Sequence, residues 1–489
     1  MNRAIKRVGV AVVVLLLILV GQLSYFQVVD AKRLANDPNN VRTLLKEFNR
    51  ARGEIQTADG EVVAQSVPTT GGDDFKYQRV YPTGGLFAQI TGYQSLLTDN
   101  SGVENTYNDV LTGRDKTLDI GNLGGVLSGK QDTQNVVLSL RKNLQQLAAD
   151  QLEGRRGSVV VLDVKTGGVL AMYSNPTYDP NVLASHDTKA VNDASTLYNL
   201  DPLKPTLPRA YAEIFPPGST FKTVTSIASI DAGISTPDRS FPLLSELKLP
   251  QSTQPLKNFG GGTCGGTMTV ALVNSCNVVF AQLGLELGND FVPRMANCGV
   301  EAGNPPPLDL ANPGAAASVG PPAGSFDNDK PSFARAGIGQ DPVATTPLEM
   351  AMVAAAIGNG GTMMVPHVAQ QITDSDGKVL RDLAPETWKT CTSPATARTV
   401  ADMMVQVVQR GTGVAAQITG VTVAGKSGTA QTDIEGKVHA WFVAFAPAEN
   451  PQYAVSVIIE GDTGVSSEQT GGAVSAPIAG AMLAAALGR

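Results

Sequence analysis

A chain of 489 residues, 42 % hydrophobic and 17 % charged, has apolar material for two or more folded domains and is no case of global disorder. Its net charge of −7, from 37 Lys and Arg against 44 Asp and Glu, argues against a nucleic-acid binder, which normally shows a basic face. The 4 Cys and 3 His are scattered without CxxC or HxxxH spacing, so no dedicated metal site is expected.

The N-terminus sets the compartment. Residues 8–29 carry no charge, and Val8 to Val20 is apolar throughout. Twenty-two helical residues at about 1.5 Å each reach roughly 33 Å, enough to cross a hydrocarbon core of about 30 Å. Arg3, Lys6 and Arg7 precede this stretch, so the positive-inside rule predicts a cytoplasmic N-terminus and export of everything after Asp30. The alternative is a cleaved signal peptide. No small-x-small site follows the apolar run, since Leu19-Val20-Gly21 and Gln22-Leu23-Ser24 both fail, and a retained anchor is expected. An oxidising compartment lets Cys264, Cys276, Cys298 and Cys391 form two disulfides, with three connectivities open. Cys264 and Cys276, in a glycine-rich stretch and its sequel, are the preferred pair, against free buried thiols.

Residues 31–130 are mixed, with a hairpin over Gly53–Ala64 turning at Asp59-Gly60. From Ser139 the period becomes helical, with Leu140, Leu144, Leu147, Ala148 and Leu152 on one face. Val159–Leu162 and Val169–Met172 flank Lys165-Thr166-Gly167-Gly168 as a second hairpin, and this helix-then-hairpin unit opens a new domain near residue 134. A helix over Ser219–Ala232 stops at Gly233, and residues 303–331 form a Pro/Gly/Ala-rich loop. Pro347–Gly358 and Thr399–Arg410 read as helices, Val421–Ala424, Ala440–Phe445 and Ala454–Glu460 as strands, and Ala473–Leu487 as a closing helix. Antiparallel strands with helices on their faces predict an α+β layered domain.

The segment with most chemistry is Pro216-Pro217-Gly218-Ser219-Thr220-Phe221-Lys222. Two prolines and a glycine turn the chain, then a helix opens with Ser219 and Lys222 three apart on one face. A buried, neutral lysine amine can take the serine's proton, and the helix N-terminus favours an oxyanion there. S-x-x-K alone is weak, because it also occurs at Ser139/Lys142, Ser245/Lys248 and Ser375/Lys378. The first reads as an N-cap, the second runs into Pro250, and the third holds the turn Asp376-Gly377. Only Ser219 has the Pro-Pro-Gly elbow and an apolar helix behind it. Ser275-Cys276-Asn277 supplies a hydroxyl that could relay protons and an amide that could hold a peptide group; a polar cap between two helices is the plain alternative. Gly425-Lys426-Ser427-Gly428-Thr429-Ala430, placed at the end of the 421–424 strand, offers a cation and two hydroxyls for a carboxylate, with Gly428 allowing close backbone approach.

In the order S-x-x-K, S-x-N, K-[ST]-G these motifs form the signature of serine penicillin-recognising enzymes. The chain resembles the class B penicillin-binding proteins over nearly its whole length, with a layout most like their actinobacterial A-type branch. Arg52-Gly53-Glu54-Ile55, Arg79-Val80-Tyr81-Pro82, Gly102-Val103-Glu104 with Tyr107, Leu111-Thr112-Gly113 and Ala440-Trp441-Phe442 match too. The resemblance implies an anchor in residues 1–30, a pedestal or dimerisation-like domain in 31–133 and a penicillin-binding transpeptidase domain in 134–489. It implies a D,D-transpeptidase cross-linking peptidoglycan stem pentapeptides, inhibited covalently by β-lactams, beside a membrane glycosyltransferase and division-complex partners. No cofactor, metal or nucleic acid is implied. By position, Ser219 is the acylated nucleophile, Lys222 its base, Ser275 a proton relay and Asn277 an aligner of the donor stem. Lys426, Ser427, Gly428 and Thr429 would bind the terminal carboxylate, and the backbone N–H groups of Ser219 and Thr429 would form the oxyanion hole. Ser427 stands where threonine is usual, so altered β-lactam affinity is expected; Asp341 follows Gln340 where glycine is common, which leaves that loop's geometry open.

Other features read as decoys. Lys165-Thr166-Gly167 is turn chemistry, Asp374-Ser375-Asp376-Gly377 is a turn without the rest of a calcium loop, and Gly411-Thr412-Gly413 follows a helix where a dinucleotide loop needs a strand. His439 reads as a structural strand residue. The rival functions are a D,D-carboxypeptidase or β-lactamase, disfavoured by the N-terminal module and single anchor, and a non-catalytic β-lactam-binding scaffold or sensor. Intact motifs disfavour a scaffold, and seven residues before the apolar run leave little room for signalling segments.

Overall fold

The apolar runs of the C-terminal half assemble into one antiparallel sheet. In the computed structural model, which describes residues 2–30, 33, 47–71, 73–115, 133–432, 437–461 and 470–489, its order is Ala424–Gln431, Val438–Ala446, Tyr453–Ile459, Gly157–Asp163, Val169–Asn175. Strand alternation splits the core between the two faces. Ala440, Phe442, Ala444, Val455 and Val457 meet the helix Gly471–Ala486 and Leu144 and Ala148 of the helix Lys142–Gln151. Trp441, Val443, Phe445 and Ile458 join Met350, Val353 and Ile357 of the helix Pro347–Gly358 on the other face. Helix-covered on both sides, the sheet is the α+β layered domain that the pattern predicts.

A second sheet, of six strands, ties distant parts of the chain together. Its order is Val379–Asp382, Ala369–Thr373, Asn135–Leu138, Ile55–Gln56, Val62–Pro68, Tyr77–Val80. Strands from before and after residue 134 therefore hydrogen-bond in one sheet, with Ile55–Gln56 parallel to Asn135–Leu138. The Gly53–Ala64 hairpin forms as expected, with Gly60 at φ 84° in its turn. The N-terminal sequence matches converge on a buried ion cluster. Glu104, fully buried, accepts from Arg52 Nε at 2.5 Å and from Arg79 Nε at 2.6 Å, and Tyr81 OH donates to it at 3.3 Å. The two guanidinium groups hold the Glu104 carboxyl below its usual value against the opposing effect of burial.

Several boundaries differ from expectation. Ser139 is not an N-cap: it follows the strand 135–138, and its hydroxyl donates to Val169 O at 2.8 Å. The helix begins instead at Lys142, whose backbone N–H donates at 3.1 Å to the Asp59 carboxylate from the hairpin turn. The helix expected from Thr399 begins at Pro394, where Ser393 Oγ accepts from Thr396 N, since proline suits the first helical position. The 303–331 loop gives way at Lys330 to a short helix, Lys330–Ala336, capped by Asp329. All four cysteines are paired: Cys264 with Cys276 (Cα–Cα 5.5 Å) and Cys298 with Cys391 (4.2 Å), so the free-thiol alternative fails. At the N-terminus, the helix Asn2–Ser24 and a π-helical turn Tyr25–Val29 include an apolar stretch, Ile5–Val29, of 25 residues.

Glu104→Ala would strand two buried guanidinium groups without their counter-charge, a change that costs about 3–5 kcal/mol when a buried ion pair is broken. Thermal unfolding of the variant is expected to show a loss of this order; a loss under about 1 kcal/mol, typical of surface pairs, would contradict the role given to the cluster.

Candidate active site

Ser219 sits on a turn that two close backbone approaches enforce. Gly218 adopts φ 54° and donates its N–H to Gly339 O at 2.8 Å, and a Cβ at Gly218 would lie 2.8 Å from Thr429 O. The chain then makes a 3-10 turn over Gly218–Phe221 and enters the helix Lys222–Asp231, whose first eight residues are buried. Its hydroxyls are spent on the backbone: Thr223 donates to Thr220 O, Ser226 to Lys222 O and Ser229 to Thr225 O.

The Ser275-Cys276-Asn277 segment does lie between two helices, Met268–Val273 and Asn277–Leu287, yet Ser275 turns inward with φ 59°. Lys222 Nζ donates to Ser275 O at 2.7 Å and to Asn277 Oδ1 at 2.8 Å, and lies 3.4 Å from Ser275 Oγ. Lys426 Nζ, from the opposite wall, donates to Ser275 Oγ at 3.0 Å and to Ser427 O at 2.8 Å. One serine hydroxyl thus bridges two buried amines. Burial, with the neighbouring Lys426 second, holds the Lys222 amine well below its ordinary 10.5, and burial brings Lys426 down to about 7. A neutral amine has two N–H donors and one lone pair. In that state the two short contacts of Lys222 use both donors, and its lone pair faces the Ser275 hydroxyl. Among the described residues no hydrogen bond joins Ser219 Oγ to Lys222 Nζ.

The third motif corrects the expected strand. Residues 421–423 precede the strand, which runs Ala424–Gln431 and carries Lys426, Ser427, Gly428 and Thr429 within it. Ser427, Gly428 and Thr429 pair with Phe442, Trp441 and Ala440 on the inner side, and the strand's free edge faces the Ser219 turn. Gly428 is required there: a Cβ would come 2.9 Å from Pro217 O and from Trp441 Cβ. A cleft of about 1050 Å³ brings together Ser219, Ser275, Asn277, Ser427 and Thr429, with Lys426 buried beneath.

Of the lining residues outside the three motifs, Thr412 and Asn258 make polar contacts to them. Thr412, inside a segment set aside as a false dinucleotide loop, places its hydroxyl 2.6 Å from Ser427 Oγ. Asn258 was not singled out at all; a glycine-rich neighbourhood ending in a cysteine was the available signal. Gln340 and Asp341 also line the cleft, and Asp341 O accepts from Arg335 Nε at 3.1 Å. The other decoys stay apart from it. Lys165 and Thr166 donate their backbone N–H groups to Asp163 in a turn, and His439 packs on Phe215 while its Nδ1 accepts from Gly461 N.

Residues 157–484 match the family described as penicillin binding protein transpeptidase domain, and residues 52–137 the penicillin binding protein A dimerisation domain. The chain is similar to peptidoglycan D,D-transpeptidase PbpA of Mycolicibacterium smegmatis, at 39 % identity over 100 % of this chain and 99 % of that one. PbpA of Mycobacterium tuberculosis is 36 % identical with the same coverage. Among solved structures, the ceftriaxone acyl-enzyme complex of penicillin-binding protein A from M. tuberculosis superposes with a TM-score of 0.83 at 33 % identity, covering 91 % of this chain and 100 % of that one.

Lys426 is depressed in the folded state, so the fold binds fewer protons than the unfolded chain between about pH 7 and 10.5. Its destabilising contribution is complete below about 7 and fades as pH rises toward 10.5. Lys426→Met is therefore expected to stabilise the protein by about 1–4 kcal/mol at pH 6, with the gain shrinking toward pH 10. Denaturant unfolding across that range measures it; a gain independent of pH would contradict the buried-amine reading.

Proposed function

Because the chain belongs to the class B penicillin-binding proteins, we propose that Ser219 is the nucleophile with which it works as a peptidoglycan D,D-transpeptidase. The observation that carries the assignment is the hydroxyl of Ser275 held between two buried amines in the cleft that Ser219 lines. Ser219 Oγ gives its proton to the lone pair of neutral Lys222 and attacks the carbonyl carbon of the penultimate D-alanine of a stem pentapeptide. The backbone N–H groups of Ser219 and Thr429 receive the oxyanion. As the C–N bond breaks, Ser275 Oγ delivers a proton to the departing D-alanine nitrogen and is reprotonated by the Lys222 ammonium. The acyl-enzyme ester is then attacked by an amine of a second stem, which loses its proton along the same path while Ser219 recovers its own.

Lys426, Ser427 and Thr429 hold the terminal carboxylate, Gly428 lets the donor backbone lie against the strand, and Asn277 aligns the stem. A β-lactam carboxylate takes the same place while Ser219 opens the lactam ring. Residues 31–133 act as a non-catalytic pedestal, and residues 134–489 as the transpeptidase domain. The apolar helix anchors the chain in the cell membrane; Arg3, Lys6 and Arg7 before it favour a cytoplasmic N-terminus and an extracytoplasmic catalytic domain. A membrane glycosyltransferase supplying nascent strands, within the division machinery, is the partner this arrangement suits.

A labelled penicillin is expected to mark Ser219 covalently in the wild type and not in Ser219→Ala, and Lys222→Ala should acylate about 100-fold or more slowly. Labelling of Ser219→Ala refutes the nucleophile. Incubation with stem pentapeptide and an acceptor amine should give cross-linked product; release of D-alanine alone would indicate a carboxypeptidase, and no turnover a scaffold or sensor.

A further inference from the structure

The helix that presents Asn277 begins without a cap of its own. Its N-cap residue is Cys276, whose side chain makes no capping hydrogen bond because its sulfur is in the disulfide. The missing acceptor comes from a distant residue: Asn258 Oδ1 accepts from Asn277 N at 3.0 Å and from Val278 N at 3.1 Å. Asn258 is only 8 % exposed, and its Nδ2 donates to Leu244 O at 2.8 Å and to Gly262 O at 2.9 Å. The side chain has two donors and an oxygen with two lone pairs, and all are committed. Next to it, Lys257 O accepts from Asn277 Nδ2 at 3.1 Å, the same amide whose oxygen receives Lys222 Nζ.

Residues 257–264 thus form a strap along one wall of the cleft, fastened to the S-x-N segment at three places: the Asn258 cap, the Lys257 carbonyl and the Cys264–Cys276 bond. The strap needs fastening because glycine at 260, 261 and 262 gives it little stiffness of its own. The S-x-N segment needs it as well. Ser275 holds a left-handed backbone conformation that a non-glycine residue adopts at a cost, and contacts must maintain it. The two lysines hold Ser275 from inside the cleft; the strap holds the next two residues from outside.

We propose that Asn258, anchored through the Cys264–Cys276 disulfide, is a positioning residue for acyl transfer, fixing the helix start that aligns Ser275 and Asn277 with Lys222. The inference rests on the reading that Ser219 is acylated with those groups beside it. Asn258 touches no reacting atom; it acts through Asn277. Its loss lets that amide and the Ser275 hydroxyl drift, so the chemical step slows while initial β-lactam binding, which depends on the carboxylate-binding lysine and hydroxyls of the strand 424–431, is retained.

The test is acylation of the full-length chain in detergent by a fluorescent penicillin, resolved into the non-covalent dissociation constant and the acylation rate constant. Asn258→Ala is expected to lower the rate constant about 10–100-fold, the effect of displacing a catalytic group by about an ångström. The dissociation constant should stay within about threefold, as for an interaction made only on the way to the transition state. The Cys264→Ser/Cys276→Ser double variant should slow in the same direction. Cys298→Ser/Cys391→Ser, which removes a disulfide that does not line the cleft, should acylate like wild type. A wild-type rate constant in Asn258→Ala, or a dissociation constant that rises as much as the rate constant falls, overturns the inference. If Asn258→Ala fails to fold, the Cys264→Ser/Cys276→Ser variant decides, and a wild-type rate constant there overturns it. Absence of label at Ser219 in the unmutated chain is a separate result: it removes the functional reading, and this inference falls with it.

Discussion

Two buried lysine amines share one serine hydroxyl at the cleft; burial depresses both, and Lys426 adds to the depression of Lys222. That constraint organises the site. A buried ammonium without a counter-charge is costly, and two of them a few ångströms apart are costlier, so the protein sheds protons instead. Lys222 is depressed by burial and, after it, by Lys426. An amine that would be an inert cation on a surface is suited to the proposed role of base because the fold refuses it water.

Much of the surrounding architecture serves that refusal. The helix 222–231 turns its hydroxyls back onto its own and adjacent carbonyls, the strand 424–431 closes over Lys426, and glycines at 218, 339 and 428 let three backbones approach within contact distance. Farther away, the six-stranded sheet joins strands from before residue 81 to strands after residue 368, with Glu104 and its arginines locking the N-terminal module beside it. The site is local; its rigidity is not.

The sequence spoke clearly where a residue pattern has a single physical use. Asp59-Gly60 means a hairpin, and Pro-Pro-Gly before Ser219 means an elbow, which separated that serine from three other S-x-x-K matches. Membrane length and flanking charge mark the anchor segment in the same way. It spoke poorly where tertiary contacts override local preference. The strand 424–431 is rich in glycine, lysine and hydroxyls, so the apolar pattern ends a strand at Ala424, where this one begins. Ser139 looks like a cap, but a remote carboxylate from Asp59 caps that helix, as remote Asn258 caps the helix at Asn277. Caps borrowed from across the fold leave no periodic trace. Thr412 was hidden for the same reason: only the folded chain places it against Ser427.

The charge state of Lys222 is the point on which the chemistry turns, and it can be observed without substrate. Labelling the lysine side chains with carbon-13 and nitrogen-15, and assigning the Lys222 signal by its loss in Lys222→Arg, gives its protonation directly by magnetic resonance titration. The account predicts an amine that loses its charge well below the pH at which an exposed lysine does. An ammonium that persists to about pH 10, the value of a solvent-exposed lysine, would contradict it.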